Sequence, residues 1–309
     1  MIKKKINLGF VTATFMMAAV SLSGCADSNM RAQKNTVVNQ EETETQEQIL
    51  EEMTDSKESV PETKDFIEET TIEQMTIEET QSEYDAQEDK ILEICEWEAY
   101  HIVDVELLTD NEIGQLFYAV EIPPQVQQRI MGCSYIENED IALEELSYVR
   151  VLHIGFDGKA HIGELIVNNA ISQDIVSIMR ALYDAQYPIE RMVLIEEYGG
   201  DDDKSMEANN TSAFNYRLIS GTNKLSNHSF GRAIDINPLY NPYVRTASDG
   251  SIRCDPAGGA EYVDRTKDFL YKIDQNDLCY QLFIEHGFTW GGNWKTKKDY
   301  QHFEKVQNA

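Results

Sequence analysis

The sequence predicts an α+β fold, a small antiparallel sheet with flanking helices, carried by residues 94–309 of a 309-residue chain. Three observations lead there. Residues 148–156 (YVRVLHIGF) alternate like a strand, and a second alternating run, residues 161–167, follows the turn pair Asp157-Gly158. Between Ile171 and Tyr187, apolar residues recur at helical spacing, namely Ile175, Ile178, Met179 and Leu182. Hairpins mixed with helices define the α+β class, and about 215 residues suffice for one well-buried core.

The chain begins with an address. Lys3-Lys4-Lys5 is a positive start, residues 7–21 are largely apolar, and Leu22-Ser23-Gly24-Cys25 closes the stretch. The apolar run is too short for a comfortable membrane span and reads as an export signal. The closing tetrapeptide resembles a bacterial lipoprotein signal, in which Cys25 is lipidated. The expectation is an extracytoplasmic protein anchored to the bacterial cell membrane by lipid rather than spanning it.

Residues 26–93 read as an acidic disordered tether. They hold 21 acidic and 5 basic residues, one proline (Pro61) and little apolar mass, too little to offset the entropy of ordering. The whole chain carries a formal net charge of -29, which argues against nucleic acid as a partner, because phosphates need Lys and Arg. Five cysteines are present, none in a C-x-x-C pair, so a thiolate zinc knuckle is not expected. If Cys25 is acylated, the other four allow three full pairings or none at all.

Within the folded part, residues 189–197 read as a further strand, Asp201-Asp202-Asp203 as a solvated loop, and residues 269–286 as a second helix capped by Gly287. The chemistry gathers in two places. The first is Leu225-Ser226-Asn227-His228-Ser229-Phe230-Gly231-Arg232-Ala233-Ile234-Asp235, and the second is Asp299-Tyr300-Gln301-His302-Phe303-Glu304. His228, Asp235 and His302 would supply two imidazoles and one carboxylate, and three protein ligands with one open position form the pattern of a catalytic zinc site. Ala233-Ile234-Asp235-Ile236 alternates, which turns Asp235 away from the two isoleucines. Asp299, three residues before His302, is a natural general base. Glu304 is read either as an orienting partner for an imidazole or as a surface acid. Arg217 is a candidate for holding a carboxylate or oxyanion, Ser226 for binding a substrate terminus, and Trp290 and Trp294 for walling the cleft; a surface, turn and core role respectively are the plain readings. His101, His153, His161 and His286 read as structural.

These residues resemble the zinc D-alanyl-D-alanine carboxypeptidase and L-alanyl-D-glutamate endopeptidase family, the VanY-type peptidases of bacterial cell-wall metabolism. The pattern S-x-H-x-x-G-x-A-x-D is met by Ser226, His228, Gly231, Ala233 and Asp235, and a following D/E-x-x-H by Asp299 and His302. The likeness spans about residues 125–306, through Asn215-Tyr216-Arg217, Asn237-Pro238 and Trp290-Gly291-Gly292. It implies Zn2+ on His228, Asp235 and His302, Asp299 as catalytic base, Arg217 steadying the substrate, peptidoglycan stem peptides as substrate and the hedgehog/DD-peptidase fold. Tyr216 departs from the pattern, since close relatives often carry Cys there. A D-alanyl-D-alanine carboxypeptidase is the expectation. An L-alanyl-D-glutamate endopeptidase is the alternative within the class, and a non-catalytic zinc-containing wall-binding module the alternative outside it; the presence of Asp299 argues against the latter.

Overall fold

A computed structural model describes residues 90–306. The export signal, Cys25 and most of the tether lie outside the described residues. Residues 90–96 are helical, and Ile91 and Ile94 are buried, so the described fold begins a few residues before 94.

The architecture is α+β, built on three small antiparallel sheets where one was expected. The first orders β1 (Tyr118–Glu121), β2 (Leu146–Ile154) and β3 (Ala160–Asn168) side by side. The predicted hairpin is β2–β3, in register from Leu146 opposite Asn168 to Ile154 opposite Ala160. Alternation divides its side chains. Val149, Val151, Leu165 and Val167 pack with Ile175, Ile178, Met179 and Leu182 of the helix Ser172–Asp184, while Tyr148 and Ile166 join a second cluster with Val126, Ile130 and Leu194. With both faces covered, β2 and β3 are buried along their whole length.

The second sheet orders β4 (Ala233–Asp235), β9 (His302–Glu304) and β7 (Thr289–Trp290). The third orders β6 (Ile252–Asp255), β5 (Tyr243–Thr246) and β8 (Lys297–Asp299). Ile234, Ile236 and Phe303 drop into the main core beside Phe283 and Phe288, which fixes the second sheet against the first.

Three expectations change. In residues 189–197, Ile189 and Met192 to Ile195 are buried, but no strand forms: an isolated bridge joins Arg191 to Asn210, and Ile195–Tyr198 closes into a 3-10 turn. A side chain replaces the missing neighbour, because Asn210 accepts from Val193 N–H and donates to Val193 C=O. The triple Asp is not a loop; Asp201 caps a helix, Asp202–Glu207, by accepting from the Lys204 N–H. The last helix covers only Leu278–Glu285. Asp277 caps it through the Cys279 N–H, and this local bond starts the helix well after Phe269. Cys95, Cys133, Cys254 and Cys279 are all free thiols. Among the described residues, no helix is long and apolar enough to cross a membrane.

Candidate metal centre

The short turn Asn227–Phe230 carries His228, and Ser226 caps it by accepting the His228 N–H at 3.3 Å. Gly231 ends the turn with φ +62, a left-handed conformation suited to glycine. A Cβ there would lie 2.6 Å from the Asn168 amide nitrogen, so this glycine also allows the turn to dock on β3. The chain then enters β4 and delivers Asp235 directly opposite His302 on β9. Ile234 and Ile236 point into the core on the other side, as the alternation requires.

His228, Asp235 and His302 are all buried, and one ligand atom from each lies within 4.8 Å of the others. His228 Nε2 is 3.2 Å from His302 Nδ1 and 3.3 Å from Asp235 Oδ2, and His302 Nδ1 is 3.0 Å from Asp235 Oδ1. The outer partners set the tautomers. His228 donates from Nδ1 to the Ala213 carbonyl, which turns its Nε2 lone pair inward. His302 donates from Nε2 to Glu304 Oε2 at 3.0 Å, and Asn227 Nδ2 donates to the same oxygen at 2.6 Å. Glu304 is therefore an orienting partner rather than a plain surface acid.

The electrostatics suit a cation. Burial works against the Asp235 carboxylate, but the two imidazoles outweigh it and hold its pKa far below the usual range. Burial also disfavours charge on His302, yet Asp235 and Glu304 push it up to about 10. A positive charge is thus strongly held at the meeting point of the three side chains. Two imidazoles, each braced from behind, and a carboxylate between them fit a divalent zinc-type ion.

Asp299 ends β8 in the third sheet and abuts this cluster at Gly291. A Cβ on Gly291 would lie 2.6 Å from Asp299 Cβ and 3.3 Å from His302 Cβ, so the absent side chain is what lets the two approach. Asp299 Oδ1 is buried with no hydrogen-bond partner, and burial pushes the carboxyl up to about 7. A partnerless carboxylate oxygen beside a cation site is equipped to accept and release a proton.

The other candidates fare unevenly. Arg217 pairs through its Nε with Asp202, the first residue of the helix that Asp201 caps. Ser226 is spent on the cap. Trp290 is a core residue: it is 5 % exposed, donates from Nε1 to the Tyr300 carbonyl and packs on Tyr280 and Phe303. The aromatic beside the cluster is Trp294, with its ring 5.4 Å from that of His302. Sequence reasoning missed Ala213 and Asn227 as braces; Asn227, next to His228, carried a visible signal, whereas a backbone carbonyl carries none. His153, His161 and His286 bond to Ile189, Tyr100 and Asp157, and Asp174, away from the cluster.

Residues 220–305 match the family model Peptidase_M15_4, described as D-alanyl-D-alanine carboxypeptidase. The match bears out the VanY-type resemblance and supports a peptidase; its stretch holds His228, Asp235, Asp299 and His302 and stops short of Arg217. No curated protein and no solved structure matches the chain.

Proposed function

We propose that the chain is an exported, lipid-anchored zinc peptidase of hedgehog/DD-peptidase fold that acts on peptidoglycan stem peptides as a D-alanyl-D-alanine carboxypeptidase. The observation that carries this reading is the buried His228–Asp235–His302 donor set, with the unpartnered Asp299 Oδ1 beside it, inside the stretch that matches the family. Zinc bound there would polarise the scissile carbonyl and activate water. The protein's own residues do the rest. Ala213 and Glu304 hold the imidazoles in the orientation that presents one lone pair each. Asp299 accepts the proton of the attacking water and returns it to the departing amine. Arg217, steadied by Asp202, binds the free carboxylate of the terminal D-alanine. Export and anchoring through Cys25 rest on the Leu22-Ser23-Gly24-Cys25 signature.

The test is mass analysis of a stem pentapeptide ending in D-Ala-D-Ala after incubation with the purified chain. Loss of one alanine is expected. A cut inside the stem would move the assignment to an endopeptidase, and a chain that binds wall peptide without cutting it, equally well as Asp299→Ala, would be a binding module. Incorporation of labelled fatty acid that disappears in Cys25→Ser tests the anchor.

A further inference from the structure

A cavity of about 700 Å³ opens on the face of the β1–β2–β3 sheet, in the size range of small-molecule sites. Every residue that lines it lies between Cys95 and Tyr198, so it shares none with the stretch matched to the peptidase family. Its floor is one rung of the sheet, where Tyr118 pairs with Arg150 and Arg150 with Glu164. Residues 95–100 and 123–129 supply walls.

Three arginines reach this cavity, and only one pairs directly with an acid. Arg129 donates to both Glu164 oxygens, at 3.0 and 2.6 Å, and reaches Glu197 as well. Arg150 is 7 % exposed, and its direct partners are neutral: the carbonyls of Ile94 and Trp97 and the Tyr148 hydroxyl, which relays to Glu164 by donating to Oε2 at 2.9 Å. Arg191 sets its guanidinium 4.6 Å from the Tyr100 ring centroid. Its Nε and the Tyr198 hydroxyl oxygen are buried, neighbour each other and make no well-formed hydrogen bond. Among the described residues, neither Arg150 nor Arg191 forms an ion pair; Glu96 and Glu98 line the cavity without reaching either. A buried guanidinium facing only neutral oxygens is costly unless an anion joins it.

We propose that this cavity is a binding site for a small organic carboxylate carrying a ring. The carboxylate pairs with Arg150 and Arg191 in the planar geometry that guanidinium favours. The ring lies against Trp97, which lines the cavity. Volume argues against a bare inorganic anion, which would leave most of the cavity empty. Glu96, Glu98 and Glu197 around the same cavity repel a polyanion, which favours a single negative charge.

The experiment is calorimetric titration of the full chain with benzoate and glucuronate, against neutral benzamide and glucose and against inorganic phosphate. At least one ring carboxylate should bind, about tenfold or more tighter than its neutral counterpart and than phosphate. Arg150 also anchors residues 94–97, so Arg191→Gln carries the mutational test, with its thermal midpoint measured without probe. Its midpoint should hold or rise, because an unpaired charge is removed, and its carboxylate affinity should fall about tenfold. Tyr198→Phe, which removes the unpartnered hydroxyl, is the second variant and should also weaken binding. No binding by any probe, equal binding of neutral and charged probes, tighter phosphate, or unchanged binding in both variants would each overturn the proposal. None of these readouts depends on peptidase activity.

Discussion

Asp235 and His302 face each other across the β4–β9 pair, and the 3.0 Å contact between Asp235 Oδ1 and His302 Nδ1 closes that rung. Strand register therefore builds the centre. A one-residue slip of either strand would turn its ligand into the core and bring Ile234 or Phe303 to the site. The core set by those two residues and the donor set are fixed by the same pairing.

Glu304→Gln tests the brace behind His302. The variant keeps the shape but loses the charge that holds the His302 Nε2 proton. Zinc affinity should fall about 10- to 100-fold, measured by competition with a chelating dye. Unchanged affinity would mean that Glu304 only bonds Asn227.

Asp299→Asn should retain metal and fold while kcat falls about 10²- to 10⁴-fold, the usual worth of a positioned base. Metal content and turnover are measured on the same sample. Full activity in a metal-loaded variant would remove Asp299 from the chemistry.

Gly291→Ala adds a methyl group that meets Asp299 Cβ and the Asp299 carbonyl, at 2.6 and 2.7 Å. Backbone must shift, at a cost of about 1–3 kcal/mol. Activity should drop more than the melting temperature suggests, because the shift separates Asp299 from His302. A variant with wild-type turnover would show that the spacing is not critical.

His153 gives the pH dependence of stability. It is fully buried and donates from Nδ1 to the Ile189 carbonyl, while its Nε2 has no partner. Burial lowers its pKa from 6.5 to about 4; the ring of His161, 5.6 Å away, adds to the effect, and Asp157 and the bond to Ile189 oppose it. Between these pH values the unfolded chain binds a proton that the native chain does not. The contribution is present above about pH 6.5 and is lost as pH falls toward 4, by roughly 3 kcal/mol. Urea unfolding of wild type and His153→Gln at pH 7, 5.5 and 4 should show the gap between them narrowing by that amount. A constant gap would rule the titration out.

The elements visible in sequence were those whose signal is local. The β2–β3 hairpin carries its own alternation and turn pair, and the helix Ser172–Asp184 its own apolar stripe. Residues 189–197 read as a strand because the buried run Met192 to Ile195 looks the same whether its neighbour is a strand or, as here, the Asn210 side chain. His228, Asp235 and His302 were legible through residue type and spacing. Trp290 was not, since an aromatic beside two glycines suits a cleft wall and a core equally well. The Arg217–Asp202 pair joins residues far apart in sequence and leaves no local trace.

The most direct measurement of the metal's role is turnover of the D-Ala-D-Ala stem pentapeptide while zinc is titrated back into chelator-stripped protein. Activity should be absent at the start, rise to a plateau near one zinc per chain, and never recover in Asp235→Asn. Alanine release that survives removal of all metal, or that returns equally in Asp235→Asn, would contradict a zinc peptidase centred on His228, Asp235 and His302.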